Sequence, residues 1–165
     1  MILPILEYPD KRLRTVAKPV EKINDTVNKL IKDMFDTMYN APGIGLAATQ
    51  VDCHQRIIVV DVSENQNEPI ILSNPEIIDK SGEIESEEGC LSVPSYYENV
   101  KRANNIMVKS LNQNGDAVQT NASEMLAICI QHEIDHLDGI LFVDHLSKLK
   151  QKRLKKKTHK KSKQL

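Results

Sequence analysis

The stretch Gln131–Phe142, QHEIDHLDGILF, sets His132 and His136 four residues apart with Glu133 between them. On a helix, positions i and i+4 share one face, about 6 Å apart along the axis, so both imidazoles can meet one metal ion. Glu133 projects roughly 100° around the axis from His132. That sets it beside such an ion, where a carboxylate can act as a base on water. The competing account is a pair of surface histidines. Four of the five residues before His132 (Ala127, Ile128, Cys129 and Ile130) are apolar, which predicts a buried helix. Two buried histidines facing each other need a partner, and a metal ion is the stronger reading.

Two histidines leave a third ligand to be found. A metzincin protease would extend the motif as H-E-x-x-H-x-x-G-x-x-H. Gly139 is in position, but the last place holds Phe142, which cannot ligate. Cys129 shares the histidine face, yet 129 to 136 spans about 10 Å of axis and Cβ atoms lean toward the N-terminus. Cys129 is therefore directed away from an ion held between the histidines. The next candidate is Cys90, in ESEEGCLSVP. Gly89 lets the backbone approach closely, and Pro94 is expected to end regular pairing soon after. Against this stands the usual fate of a free cysteine, burial as a small hydrophobe.

These residues need a scaffold. The 165 residues suffice for one domain with a sizeable core, and neither an internal repeat nor an interior linker suggests a second. DTVNKLIKDMFDTMYN reads as a helix, with Val27, Leu30, Ile31, Met34 and Met38 at helical spacing and Asp25 as its cap. Pro42, Gly43 and Gly45 prevent its continuation into APGIGLAATQ. RIIVVDV and PIILSNPEIID read as strands. NNIMVKSLNQNGDAVQTNA reads as a hairpin turning at Asn114-Gly115-Asp116. SEMLAICIQHEIDHL is a second helix, capped by Asn121 or Ser123 and ended near Asp138-Gly139. SKLKQKRLKKK is a candidate third helix with Ser147 as cap. Strands early, a helix late and no regular βαβ alternation predict an α+β fold.

Charge is unevenly distributed. Lys148–Leu165 holds nine Lys, one Arg and no acid; 22 cations in the chain less these ten leaves 12 against 23 acids in residues 1–147. With only Leu146, Leu149 and Leu154 as a weak apolar stripe, the tail is expected to fray as a solubilising terminus or to be drawn to a polyanion. No run approaches the length of a membrane span, and MILPILEYPD lacks the features of a signal peptide, so a cytoplasmic protein without membrane contact is expected. Cys53, Cys90 and Cys129 form no CxxC pair, and their odd number argues against a disulfide framework.

Three segments together resemble one family. GIGLAATQ (Gly43–Gln50), EGCLS (Glu88–Ser92) and QHEIDH (Gln131–His136) look like the three signature motifs of bacterial peptide deformylases, in the family's order and spacing. YPDKRLRTVAKPV is similar as well. The likeness spans about residues 1–147, a catalytic domain, with 148–165 as a basic C-terminal helix or tail like that of the compact subclass. It implies antiparallel sheets packed around a central helix that carries HExxH, flanked by an N-terminal and a C-terminal helix.

The resemblance also implies a reaction: hydrolytic removal of the N-formyl group from the initiator methionine of nascent chains. Cys90, His132 and His136 would hold one divalent metal with water in the fourth position, Fe(II) in the native enzyme, with zinc, nickel or cobalt as substitutes. Glu133 would move the protons, and the Gln50 side-chain amide and the Leu91 backbone N–H would stabilise the oxyanion. Ile44 and Gly45 would pair with the substrate backbone, near Gly89, while Met125, Ile128 and Cys129 would line the methionine pocket; for Ile128, ordinary core packing is an equal alternative. Glu88 and Arg102 are expected as an ion pair behind the ligands, or else as surface charges. Asp135 is a candidate to orient a ligand histidine, a solvated helix residue being the alternative. Tyr97 stands where some relatives carry a basic residue. The basic tail would dock near the ribosomal exit tunnel. The alternatives are an HExxH metalloprotease and a nucleic-acid-binding module with structural zinc.

Overall fold

Ile57–Val60 is apolar at every position, whereas a strand with one wet face alternates. The computed structural model, which describes residues 1–164, shows why. This strand, β2, lies between β1 (Gly45–Ala47) and β3 (Ile70–Ser81) in a five-stranded antiparallel sheet. The sheet continues through β6 (Asn105–Leu111) to β7 (Ala117–Ser123). Ile57 and Val59 pack against Val27, Ile31, Met34 and Met38 of helix α1 (Asp25–Asn40). Ile58 and Val60 pack against Ala127, Ile130 and Leu137 of helix α2 (Glu124–Leu137). Covered on both faces, β2 has no position for a polar side chain.

α1 follows the expected apolar spacing, but its cap is Asn24 rather than Asp25: the Asn24 Oδ1 accepts the Val27 N–H at 3.0 Å, and Asp25 already lies in the first turn. The β6–β7 hairpin turns where expected, with Gly115 at φ 83°. The α2 N-cap is Ser123, the last residue of β7, although its side chain makes no capping hydrogen bond; Asn121 lies two residues earlier in the strand.

A second sheet, β4 (Ile84–Cys90) with β5 (Val93–Arg102), covers the other side of α2. Pro94 does not end the pairing. It sits near the start of β5 in a two-stranded sheet, where its missing N–H need not serve a neighbour, and the register shifts between Glu88/Glu98 and Cys90/Val93 to accommodate a bulge. Behind β5 lies a third apolar cluster, including Leu13, Val93, Val100, Phe142 and Leu146.

Helix α3 (Lys148–Gln164) joins that cluster. The Ser147 Oγ accepts the Lys150 N–H at 3.2 Å, as its expected capping role requires. The expectation of a frayed terminus fails at Leu154, which is buried in the cluster beside Leu146, and at Lys150, whose Nζ meets Glu98 at 3.1 Å. Leu149 faces outward. Leu165, the end of the predicted tail, lies outside the described residues. The architecture is α+β, with antiparallel sheets around the central helix α2.

Candidate active site

β4 and α2 run side by side in the same direction, and their repeats nearly coincide: two strand residues advance about 6.6 Å, four helical residues about 6 Å. Alternate residues of β4 therefore meet successive turns of α2. The Glu88 Oε1 lies 2.9 Å from the His132 Nδ1, and the Cys90 Sγ lies 3.3 Å from the His136 Nε2. The imidazole centroids are 5.1 Å apart. Among the described residues, Cys90, His132 and His136 form the one convergent group of possible metal ligands, their donor atoms all within 4.8 Å of one another. Cys129 stands outside it: its Sγ donates to the Ile44 carbonyl at 3.5 Å, and burial raises its thiol pKa well above the ordinary value.

The group fits a divalent cation. It offers one sulfur and two imidazole nitrogens, a set suited to several transition metals. The Ser92 N–H and the Gln50 Nε2 point at the sulfur from 3.4 and 3.6 Å, donors that suit a thiolate ligand. Burial alone would lower the His132 pKa. Glu133, with the Cys90 and Glu88 hydrogen bonds, outweighs it and holds the ring well above its usual value. These surroundings favour positive charge at His132, whereas burial and the neighbouring His132 hold the His136 ring well below its usual value.

Glu88 and Arg102 form a buried ion pair. The Arg102 Nε and Nη2 donate to the two Glu88 oxygens at 2.8 and 2.9 Å. Burial would raise the Glu88 pKa, but these bonds and His132 hold it down to about 2. Glu88 thereby anchors the His132 ring, the task expected of Asp135. Asp135 instead accepts hydrogen bonds from the Arg102 Nη1 at 2.6 Å and the His145 Nε2 at 2.9 Å, not from a ligand histidine. Phe142, where a protease would carry a third histidine, stacks on the His132 ring at 5.8 Å.

Glu133 is 4% exposed, and its Oε1 has no hydrogen-bond partner among the described residues. Burial pushes its pKa up to about 7. Gly45 is required opposite it, because a Cβ there would come within 2.5 Å of the Glu133 Oε2 and 2.7 Å of the Cys129 Sγ. Gln50, in a 3-10 turn after β1, is buried with both ends of its amide held. Its Oε1 accepts the Ala47 N–H at 2.9 Å, and its Nε2 donates to the Ser92 Oγ at 3.0 Å. Sequence reasoning missed Ser92; its only signal was its place two residues beyond Cys90.

A cleft of about 580 Å³ opens over these groups. Ile44, Gly45, Gly89 and Leu91 border it together with Met125, Ile128 and Cys129, while Gln50, Glu88, Cys90, His132 and Glu133 line it as well. Every sequence-predicted site residue except His136, Arg102 and Asp135 thus reaches the cleft. Tyr97 covers Gly89, where an added Cβ would meet its ring at 2.5 Å.

A family model described as polypeptide deformylase matches residues 2–152. A peptide deformylase of Cellvibrio japonicus is 54% identical over 163 residues, 98% of this chain and 96% of the relative. Among solved structures, a peptide deformylase from Legionella pneumophila superposes with a TM-score of 0.93 at 47% identity, covering 99% of this chain and 96% of that one. A peptide deformylase from Ehrlichia chaffeensis in complex with actinonin does so with a TM-score of 0.93 at 42% identity, covering 97% of each chain.

Proposed function

The chain belongs to the polypeptide deformylase family and removes the N-formyl group from the N-terminal methionine of nascent polypeptides, and on that premise we propose how its side chains divide the work. Cys90, His132 and His136 hold one divalent metal, Fe(II) in the cell, with zinc, nickel and cobalt able to substitute. When bound, the metal supplies Lewis acidity that polarises the formyl carbonyl and makes water acidic near neutral pH. Glu133 takes the proton from the attacking water. As the C–N bond breaks, it delivers that proton to the leaving amine, and formate departs. The Gln50 Nε2 and the Leu91 N–H donate to the oxyanion; the fixed Gln50 amide supports this, since it needs no reorientation during the reaction. Glu88 and Arg102 hold the His132 ring in place.

The substrate's methionine side chain enters beside Met125, Ile128 and Cys129, and its backbone extends along Ile44 and Gly45, near Gly89. β1 stands last in its sheet, so its outer edge is open to an added strand. The observation that carries the reading is the convergence of Cys90 with the two histidines beside Glu133, whose Oε1 has no hydrogen-bond partner among the described residues. A closed structural zinc site would require a fourth protein ligand. Anaerobically purified protein is expected to release formate from formyl-Met-Ala, to leave unformylated peptides uncut, and to contain about one metal ion per chain. Peptide cleavage without formate release would replace this reading with the protease.

The working place is the cytoplasm. Among the described residues no helix is long and apolar enough to cross a membrane. We assign the chain to a catalytic body, 1–147, and a basic extension, 148–165, that draws the enzyme to the ribosome, where formylated chains emerge. Lys152, Lys155, Lys156 and Lys157 are exposed along α3, and RNA attracts such a face. Because Leu154 is part of the core, charge reversal tests this better than truncation. Lys152→Glu with Lys155→Glu and Lys156→Glu is expected to abolish co-sedimentation with ribosomes at low salt. Unchanged co-sedimentation would refute the docking role.

A further inference from the structure

The hydrogen bonds that hold the His132 ring do not stop at Arg102. The Glu88 Oε1 accepts from the His132 Nδ1 and from the Arg102 Nη2, both at 2.9 Å. The Arg102 Nη1 donates to the Asp135 Oδ2 at 2.6 Å, and the same oxygen lies 2.9 Å from the His145 Nε2. An ionised carboxylate can only accept, so the His145 Nε2 carries the proton. The Arg102 Nη1, itself a donor, lies farther from that nitrogen, at 3.5 Å. A continuous chain therefore runs from the buried His132 through Glu88, Arg102 and Asp135 to His145, whose side chain is 39% exposed.

The loosest link in that chain is Asp135. Arg102 is buried and gripped by both Glu88 oxygens. The Asp135 side chain is partly exposed and borders a hollow of about 680 Å³ that shares no lining residue with the substrate cleft. Solvent there competes for its oxygens, and a carboxylate free to turn would release the Arg102 Nη1. His145 borders the same hollow and holds the Oδ2 in place. It ends the 3-10 turn Phe142–His145, whose first residue stacks on the His132 ring. One short turn thus reaches the ligand ring twice, once directly and once through three side chains. We propose that His145 is a positioning residue of the metal site, fixing the Asp135 carboxylate and, through Arg102 and Glu88, the His132 ring. This rests on the reading of Cys90, His132 and His136 as metal ligands and extends the machinery around them to the far side of α2.

The test uses the full chain and two readouts. In metal-free protein, NMR follows the exchange of the His132 Nδ1 proton with solvent. In zinc-loaded protein, a chelator reports the rate of zinc loss. Both rates are expected to rise about tenfold in His145→Ala, the lower end of what losing an orienting partner costs. His145→Leu, which keeps bulk without a donor, should behave alike. His145→Gln, whose amide N–H can donate to Asp135, should restore both rates. In an Asp135→Ala background, His145→Ala should add nothing, because the chain is already cut. Wild-type rates in His145→Ala and His145→Leu overturn the proposal. So do a failure of His145→Gln to restore them and additive effects of the Asp135 and His145 substitutions. A lowered Tm with unchanged exchange at His132 would show a merely structural histidine and overturn it too. A wild type that takes up no zinc would remove the metal reading itself, and exchange at His132 would still decide whether His145 holds the ring.

Discussion

Glu133→Ala is expected to fold and to keep its metal while kcat falls about 10³-fold, within the range that positioned acid–base groups contribute. The size follows from Glu133 serving twice, first accepting a proton from water and then donating one to the amine. No neighbour can replace it. Glu88 is committed to Arg102 and His132, and Asp135 to Arg102 and His145. The position beside Gly45 admits no other side chain from β1. Glu133→Gln keeps the volume and removes the base, so it should lose turnover to a similar degree and exclude cavity collapse as the cause. Metal content, thermal unfolding and kcat measured on the same preparations decide the matter. A wild-type kcat in either variant refutes the proton-transfer role.

Cys90→Ser is expected to lower metal affinity by more than about a hundredfold, since loss of a mere orienting partner already costs 10- to 100-fold. A serine hydroxyl is a far poorer ligand than a thiolate. Cys129→Ser serves as the comparison. Its sulfur lies one turn nearer the N-terminus than the ion site, against the Ile44 carbonyl, in a setting that keeps the thiol protonated. Elemental analysis after dialysis should find the metal depleted in the first variant and largely kept in the second. Equal losses would overturn the assignment of the sulfur ligand.

The parts of the fold legible in the sequence are those with local signals. α1 and α2 announce themselves by apolar spacing, the β6–β7 hairpin by its Asn-Gly turn, and β2 by its β-branched run. β4 gives no such signal. Its sequence is rich in glutamate, and its reason to be a strand lies 44 to 46 residues away, where Glu88 and Cys90 meet the helix. The same distance explains the error at Asp135. Its neighbourhood on α2 suggested a link to a ligand histidine, whereas Arg102 on β5 claims it. Leu154 misled for a similar reason: a lone leucine among lysines counts for little until Leu146 and Phe142 are found beneath it.

The open side of β1 has a consequence for concentrated solutions. An unpaired strand edge invites any extended chain, including a second copy of the same protein, and long flat edges of this kind seed aggregates. Here the unpaired edge is held to three buried residues, Gly45–Ala47, with a glycine at its start, the Ala47 N–H already donated to the Gln50 Oε1, and a tight turn directly after Ala47. That is long enough to align the first residues of a single extended peptide and too short to template a growing stack.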